Sequence, residues 1–279
     1  MNVSYELTAR MALEKIGFRF QKSLGQNFLL NEDLLNGFLD LAGVGEGSRI
    51  LEIGPGAGVM TRLMLDRGAS VTALELDRRL EPVLREVAGE ALNVIFEDAL
   101  KAPIDEIMGN EPYDVMANLP YYITTDFLYR IYGLKNPPET VTLLVQKEAA
   151  ERIMAEMGTK TYCQLSACTA WFGAAEVLRE VPPHLFTPPP NVQSALIRIT
   201  RHSEKPISVK DEALFLKLID AAFRMRRKTM LNNLVSAFSM PRDAAVKALT
   251  DAELDEKIRG EALTLGQFAS LADSMNEKT

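Results

Sequence analysis

The chain has 279 residues, 47% hydrophobic and 25% charged, which suits one large domain plus a small one and needs no metal or disulfide to complete a core. Its only cysteines, Cys163 and Cys168, lack CxxC spacing, and its two histidines, His184 and His202, are too few for a histidine-rich metal site, so no metal is expected and a reduced, cytoplasmic setting is. The net charge of −7, taken alone, argues against nucleic-acid binding, where a basic domain is expected; no apolar run is long enough to cross a membrane, and residues 1–25 have no apolar centre of the kind a secretory signal needs.

In chain order, Ser4 to Ile16 has helical spacing, with Leu7, Met11 and Leu13 set between charges. Residues 17–31 read as loop, and Asn31 to Leu41 as a helix with Asn31 at its N-cap. Alternation follows. A buried strand at Arg49 to Ile53 leads through a glycine turn into a helix from Val59 to Arg67. A second strand, Ser70 to Leu74, ends at Glu75 and precedes a helix from Asp77 to Val87. Asn93 to Phe96 is a third strand. Tyr113 to Ala117 is a fourth, followed by a helix from Thr125 to Tyr132. Val141 to Val145 is a fifth, followed by a helix from Lys147 to Met157. Strands alternating with helices predict a parallel, doubly wound α/β sheet with helices on both faces. Tyr162 to Trp171 reads as a further helix. Glu176 to Val181 and Ser194 to Thr200 read as strands with no helix between them, an antiparallel hairpin-like edge. Residues 211–273 hold three or four helices and no clear strand, which puts a small all-α domain after a boundary at 205/206.

The chemistry clusters at the ends of the expected strands. Gly54-x-Gly56-x-Gly58 lets the backbone turn sharply and approach a ligand closely. It is one residue shorter than the dinucleotide fingerprint. Glu75 follows Gly54 by 21 residues, where an acid accepts the ribose hydroxyls of a nucleoside. Asp77 suits the N-cap of the next helix. Asp98, in Glu97-Asp98-Ala99, can accept the amino hydrogens of an adenine. Asn118-Leu119-Pro120-Tyr121 joins a carboxamide, a bend and an aromatic face. The Asn118 side-chain oxygen and the Leu119 carbonyl are candidate acceptors for an exocyclic amine, with Pro120 fixing the turn and Tyr121 stacking on the ring. The proline-dense stretch 182–194 can hold Phe186 as a second stacking wall, although composition alone makes Phe186 a core residue. Arg224, Arg226, Arg227 and Lys228 put four positive charges in five residues. Read as a helix, Arg224, Arg227 and Lys228 share a face that can meet phosphates.

In this order, the motifs resemble those of the ribosomal RNA adenine dimethyltransferases, the bacterial small-subunit branch in particular. The matching residues are Lys22-Ser23-Leu24-Gly25-Gln26-Asn27-Phe28-Leu29, Glu52-Ile53-Gly54-Pro55-Gly56-x-Gly58, Glu75-x-Asp77, Glu97-Asp98-Ala99 and Asn118-Leu119-Pro120-Tyr121. Phe186-x-Pro188-x-Pro190-x-Val192-x-Ser194 and Phe223-Arg224-x-Arg226-Arg227-Lys228-Thr229-Met230-x-Asn232-Asn233-Leu234 follow. The resemblance covers nearly the whole chain. It departs at Glu97, where many relatives carry glycine, and at Met60, where leucine is common. It implies a Rossmann-like class I methyltransferase sheet over residues 1–205 and an RNA-docking helical domain over 206–279. It implies S-adenosylmethionine as cofactor, held by Asn27, Leu29, Gly54, Gly56, Glu75, Asp98 and Asn118, with Gln26 and Phe28 shaping the pocket. The implied substrate is a pair of adjacent adenosines in a hairpin near the 3′ end of small-subunit rRNA, dimethylated at N6. The implied partner is the small ribosomal subunit, met by a monomer.

The target adenine is expected to leave its stack and enter a slot between Tyr121 and Phe186. A sister group acts on large-subunit RNA, but the long helical tail with Arg-Arg-Lys-Thr favours the small-subunit branch. An assembly checkpoint, in which binding matters beside methylation, is compatible with these expectations. A nicotinamide dehydrogenase is the weakest alternative, because it leaves Asn-Leu-Pro-Tyr unexplained.

Overall fold

A computed structural model describes residues 4–21, 24–90 and 92–276. Lys22 and Ser23 of the first motif lie outside the described residues. The chain packs as two compact units, residues 1–150 with 175–201, and residues 151–174 with 202–279.

The first unit opens with α1 (Tyr5–Lys15), capped by the Ser4 hydroxyl, which accepts from the Leu7 N–H. Its buried stripe is Ala9, Ala12 and Leu13, while Leu7 and Met11 face solvent. The small alanines let α1 sit close on its helical neighbours. A two-residue strand, β1 (Phe28–Leu29), lies in the stretch expected to be loop. Next comes α2 (Glu32–Ala42). Asn31 Oδ1 accepts from the Leu34 N–H, and Gly43 closes the helix in the left-handed conformation. Each such cap contributes about 1 kcal/mol.

Then β2 (Arg49–Ile53), α3 (Val59–Asp66), β3 (Ser70–Glu75), α4 (Glu81–Ala88), β4 (Asn93–Phe96), α5 (Ile104–Met108), β5 (Asp114–Asn118), α6 (Thr124–Tyr132), β6 (Thr140–Gln146) and α7 (Lys147–Ile153) alternate. After α8 (Gln164–Phe172) come β7 (Gly173–Val181), β8 (Phe186–Thr187) and β9 (Ser194–Arg201). The seven-stranded sheet has the order β4-β3-β2-β5-β6-β9-β7. β2 pairs in parallel with β3 and β5, β3 with β4, and β5 with β6. β9 runs antiparallel to β6, from Thr140↔Thr200 to Gln146↔Ser194. Thus β7 and β9 are neighbours at one side of the sheet, as expected, with β9 interior and β7 at the edge. Residues 50–53 and 141–145 are buried throughout, because helices cover both faces. The direction of crossover reverses between β2 and β5, and at such a point an open α/β sheet leaves a crevice beyond its C-terminal strand ends.

A second small sheet pairs β1 with β8, Phe28↔Thr187 and Leu29↔Phe186. It joins the N-terminal motif to the proline-dense loop. Phe186 is only 3% exposed and belongs to the hydrophobic core with Leu29, Leu30 and Phe38.

The second unit holds α8, α9 (Glu212–Arg224), α10 (Met230–Ala237), α11 (Arg242–Asp251) and α12 (Leu265–Asn276). The boundary expected at 205/206 therefore needs correction. Residues 151–174 belong with the later helices, because Trp171 packs on Phe215 and Tyr162 on Phe223, with ring centroids 4.7 and 5.5 Å apart. The basic run also departs from expectation. α9 stops at Arg224, and residues 225–228 form a turn. Thr229 starts α10 instead, its hydroxyl accepting from the Asn232 N–H, and Thr229 bridges to Arg259. Arg224, Arg227 and Lys228 thus share no helical face.

Candidate functional site

A cavity lies at the C-terminal ends of β2, β3, β4 and β5. It is lined by the turns after those strands and by residues 24–29 of the N-terminal loop. The sequence placed Asn27, Leu29, Gly54, Gly56, Glu75, Asp98, Asn118, Leu119, Pro120 and Tyr121 in one site, and all of them line it.

Its floor is the glycine turn. Gly56 has φ +58°, and a Cβ there would meet the Phe28 ring at 3.1 Å. A glycine is what lets the N-terminal loop close over the turn. Gly58 caps α3 at φ +80°, where a Cβ would come within 3.1 Å of Leu84.

Glu75 ends β3 with only 6% exposure. Its Oε2 accepts from the Gly56 N–H at 3.2 Å and its Oε1 from the Asp77 N–H at 2.8 Å. Burial raises its pKa, opposed by these main-chain donors. Asp77 caps the short 3-10 turn Arg78–Leu80 that leads into α4, so it is a capping residue as expected, one turn ahead of the helix itself. It also accepts from Gln26 Nε2 at 2.8 Å and is paired with Arg79. Burial works against the Asp77 carboxylate, yet Arg79 and Gln26 hold its pKa below the ordinary value. Gln26 in turn accepts from the Gln21 N–H, which ties the N-terminal loop to the end of β3.

Glu52, the first residue of the glycine motif, lines the same cavity, although the motif assigns it no role of its own. It is fully buried, and its Oε2 accepts from the Thr61 hydroxyl at 2.6 Å. Its Oε1 has no partner. Burial, opposed by Thr61 and reinforced by Glu75, pushes the carboxyl up to about 8. An unpartnered carboxyl oxygen in a ligand cavity is costly unless a ligand or a proton meets it.

Asn118 ends β5. Its Nδ2 donates to the main-chain carbonyl of Asn27 at 2.9 Å. A carbonyl only accepts, so this contact sets which end of the carboxamide faces which way, and it leaves Oδ1 as the acceptor at the cavity. Pro120 has φ −54° and ψ 128°, and Ile123 N–H bonds its carbonyl in the following 3-10 turn. The Tyr121 hydroxyl meets Ser194 Oγ at 2.6 Å. Burial raises the phenol's pKa, against the Ser194 bond. Ser194 is completely buried at the start of β9, so the last residue of the proline-dense motif holds the aromatic ring of the Asn-Leu-Pro-Tyr motif. Gly25, at φ +60°, would place a Cβ 2.9 Å from the Pro120 Cβ.

Phe186 does not line the cavity. The slot expected between Tyr121 and Phe186 is closed on the Phe186 side, because pairing with Leu29 turns that residue into the core. Tyr122, one residue beyond the motif, does line the cavity.

The described lining residues include Glu52, Glu75, Glu97 and Asp98, and no Lys, Arg or His. Two phosphates would find four carboxyl groups and no cation there, which disfavours a dinucleotide. A nucleoside bearing cationic groups fits. Glu75 suits ribose hydroxyls and Asp98 an amino-bearing ring, and a cation bound in the cavity would draw the Glu52 carboxyl toward its charged form. Among the described residues no group of three or more His, Cys, Asp or Glu could hold a metal ion, and no helix is long and apolar enough to cross a membrane.

In the second unit the basic residues have separate tasks. Arg226 bonds Glu261 at 3.0 Å and the Tyr162 carbonyl at 3.0 Å, and Arg224 pairs with Asp220. Arg227 and Lys228 are exposed.

The sequence model for ribosomal RNA adenine dimethylase matches residues 17–277. The chain is 40% identical over 275 residues to a ribosomal RNA small subunit methyltransferase A of Lachnoclostridium phytofermentans, covering 95% of each. Its fold is similar to the crystal structure of a dimethyladenosine transferase from Plasmodium falciparum, with a TM-score of 0.74 at 22% identity, over 90% of this chain and 98% of that one. It is also similar to the 23S rRNA methyltransferase ErmE, with a TM-score of 0.64 at 25% identity, over 90% of this chain and all of that one.

Proposed function

The chain belongs to the ribosomal RNA adenine dimethylase family, and from that premise we propose that it transfers methyl groups from S-adenosylmethionine to N6 of two adjacent adenosines in a hairpin near the 3′ end of small-subunit rRNA. The fixed carboxamide of Asn118, at the edge of an acidic cavity without cations, carries this reading. The small-subunit substrate is supported by the 40% identity, over 95% of each chain, to a small-subunit enzyme.

When bound, S-adenosylmethionine supplies a methyl group on a positively charged sulfur. Glu75 would hold the ribose, Asp98 the adenine amine, and Asn27, Leu29, Gly54 and Gly56 the walls against which the cofactor lies. The chain's own task is alignment and electrostatics. An exocyclic adenine nitrogen is a poor nucleophile, because its lone pair is spread into the ring. Asn118 Oδ1 and the Leu119 carbonyl accept its two hydrogens and turn the lone pair toward the methyl group. Tyr121, pinned by Ser194, supplies a fixed ring face for the base. Phe186, buried in the core, holds Leu29 of the cavity wall through the pairing of β1 with β8. The methylated nitrogen carries a positive charge as first formed, and this cation is strongly acidic and loses its proton to water, so no side chain need act as a base.

The helical unit docks the RNA through Arg227 and Lys228, and Arg226 holds that surface in shape. The residues assigned to the cofactor and the substrate amine all come from one chain, so the reading needs no second copy, and a ribosomal substrate sets the work in the cytoplasm. The same binding surface suits a part in small-subunit biogenesis. Labelled methyl transfer to immature small subunits and to large subunits, with the modified base mapped, tests the reading. Label on two adjacent small-subunit adenosines is expected, and label confined to large subunits would overturn it.

A further inference from the structure

Tyr122 follows the half-buried Tyr121 by one residue, yet it is 61% exposed. It sits in the 3-10 turn Tyr121–Ile123 and lines the rim of the cavity. Its ring lies beside the Leu24–Gly25 loop, where a Cβ on Gly25 would stand 3.4 Å from Tyr122 Cε1. Leu76, 54% exposed, lines the same cavity. Two of the large exposed apolar side chains therefore lie at one opening.

A single exposed aromatic ring needs no explanation. A ring set against a neighbouring loop, beside the place where a base must enter, does. On the function proposed above, the substrate presents two adjacent adenosines. While one base occupies the cavity against Tyr121, its neighbour remains one nucleotide away, at the rim. We propose that Tyr122 is a stacking platform for the nucleotide next to the adenosine being methylated. Stacking uses the π face of a base and reads none of its amine hydrogens. A dimethylated neighbour is therefore held as well as an unmodified one. The platform serves whichever adenosine reacts first, and it positions the pair for the second.

The test compares wild type with Tyr122→Ala and Tyr122→Phe on an RNA hairpin, intact or with an abasic site on either side of the target adenosine. The abasic neighbour is expected to raise KM for wild type roughly ten-fold, the range of one base–aromatic stack. Tyr122→Ala raises KM on intact RNA to a similar degree and adds little on abasic RNA, the coupling that a double-mutant cycle measures. Tyr122→Phe behaves as wild type, and cofactor binding by calorimetry is unchanged in both variants. Equal abasic effects in wild type and Tyr122→Ala, or loss of cofactor binding in Tyr122→Ala, would overturn the proposal. Failure of wild type to methylate the intact hairpin would instead count against the function on which it rests.

Discussion

The side-chain amide of Asn118 donates to the main-chain carbonyl of Asn27 across 91 residues of sequence. The loop that closes the cofactor cavity thereby sets the rotamer of the group that must accept from the substrate amine. Asn118→Asp tests this coupling. Aspartate has two acceptors and no donor, so it faces the Asn27 carbonyl with repulsion and turns away. Turnover should fall about 10²–10³-fold, as for the loss of one preorganised polar group, and Asn118→Ala should fall by a similar amount. Quantitative methyl incorporation checks both, with RNA binding measured alongside and expected to persist. Near-normal turnover in Asn118→Asp would show that the amide needs no fixed orientation.

Gly25→Ala places a methyl group 2.9 Å from the Pro120 Cβ on a backbone at φ +60°. Something must shift, and both the loop and the Asn-Leu-Pro-Tyr turn bear on catalysis. Thermal unfolding should show a loss of about 1–3 kcal/mol, with kcat reduced more than the affinity for the cofactor. Unchanged stability and kcat would mean that the loop yields freely.

Ser194→Ala leaves the Tyr121 hydroxyl without its partner. Its stability cost is about 1 kcal/mol, read by denaturant midpoint, and kcat should drop several-fold as the ring loses its anchor. Tyr121→Phe should lower stability by a comparable amount, and adding Ser194→Ala to it should cost little more. Full additivity of the two would sink the pairing.

Glu52→Gln tests the buried carboxyl. In the folded protein its pKa is raised to about 8, so between the ordinary carboxylate value and about 8 the folded state holds a proton that the unfolded state has released. Stability therefore falls as pH rises through that window. Glutamine imitates the neutral form and still accepts from Thr61. The variant should match wild type near pH 4 and exceed it by roughly 1–3 kcal/mol at pH 8. Chemical denaturation at the two pH values decides it, and a difference that does not change with pH would refute the assignment.

Arg227 and Lys228 should act differently from Arg226. Neutralising both exposed residues should lower the salt dependence of RNA binding by about one unit of slope for every phosphate left without a cation, with stability unchanged. Arg226→Ala should instead destabilise the helical unit, because it breaks the links to Glu261 and Tyr162. An unchanged slope in the double variant would remove the turn from the docking surface.

Much of the fold is legible because it is locally written. Apolar runs such as Arg49–Ile53 and Thr140–Gln146 are bounded by turns and buried on both faces. Asn31 and Asp77 are capping residues with short polar side chains. What escaped depends on distant partners. β1 and β8 are two residues each and exist only because they pair with one another. α5 is five residues long and begins after a proline. The basic run has helical spacing, but the cap at Thr229 ends the continuity that spacing assumes. The motif residues of the site were visible as turn chemistry at strand ends. Glu52 hid within its strand, Tyr122 within the motif's shadow, and Phe186 kept its composition-based role as a core residue. Ser194 was matched as a motif residue, but its purpose is set only by folding beside Tyr121.

The two-residue sheet of Phe28–Leu29 with Phe186–Thr187 also has a bearing on biosynthesis. A ribosome delivers the N-terminal loop first, and its strand partner emerges only after more than a hundred and fifty further residues. The parallel core strands β2 to β6 can be delivered and paired in that interval. The cofactor cavity therefore gains its finished lip late, when the latch from the far end of the same unit closes over parallel strands already laid down.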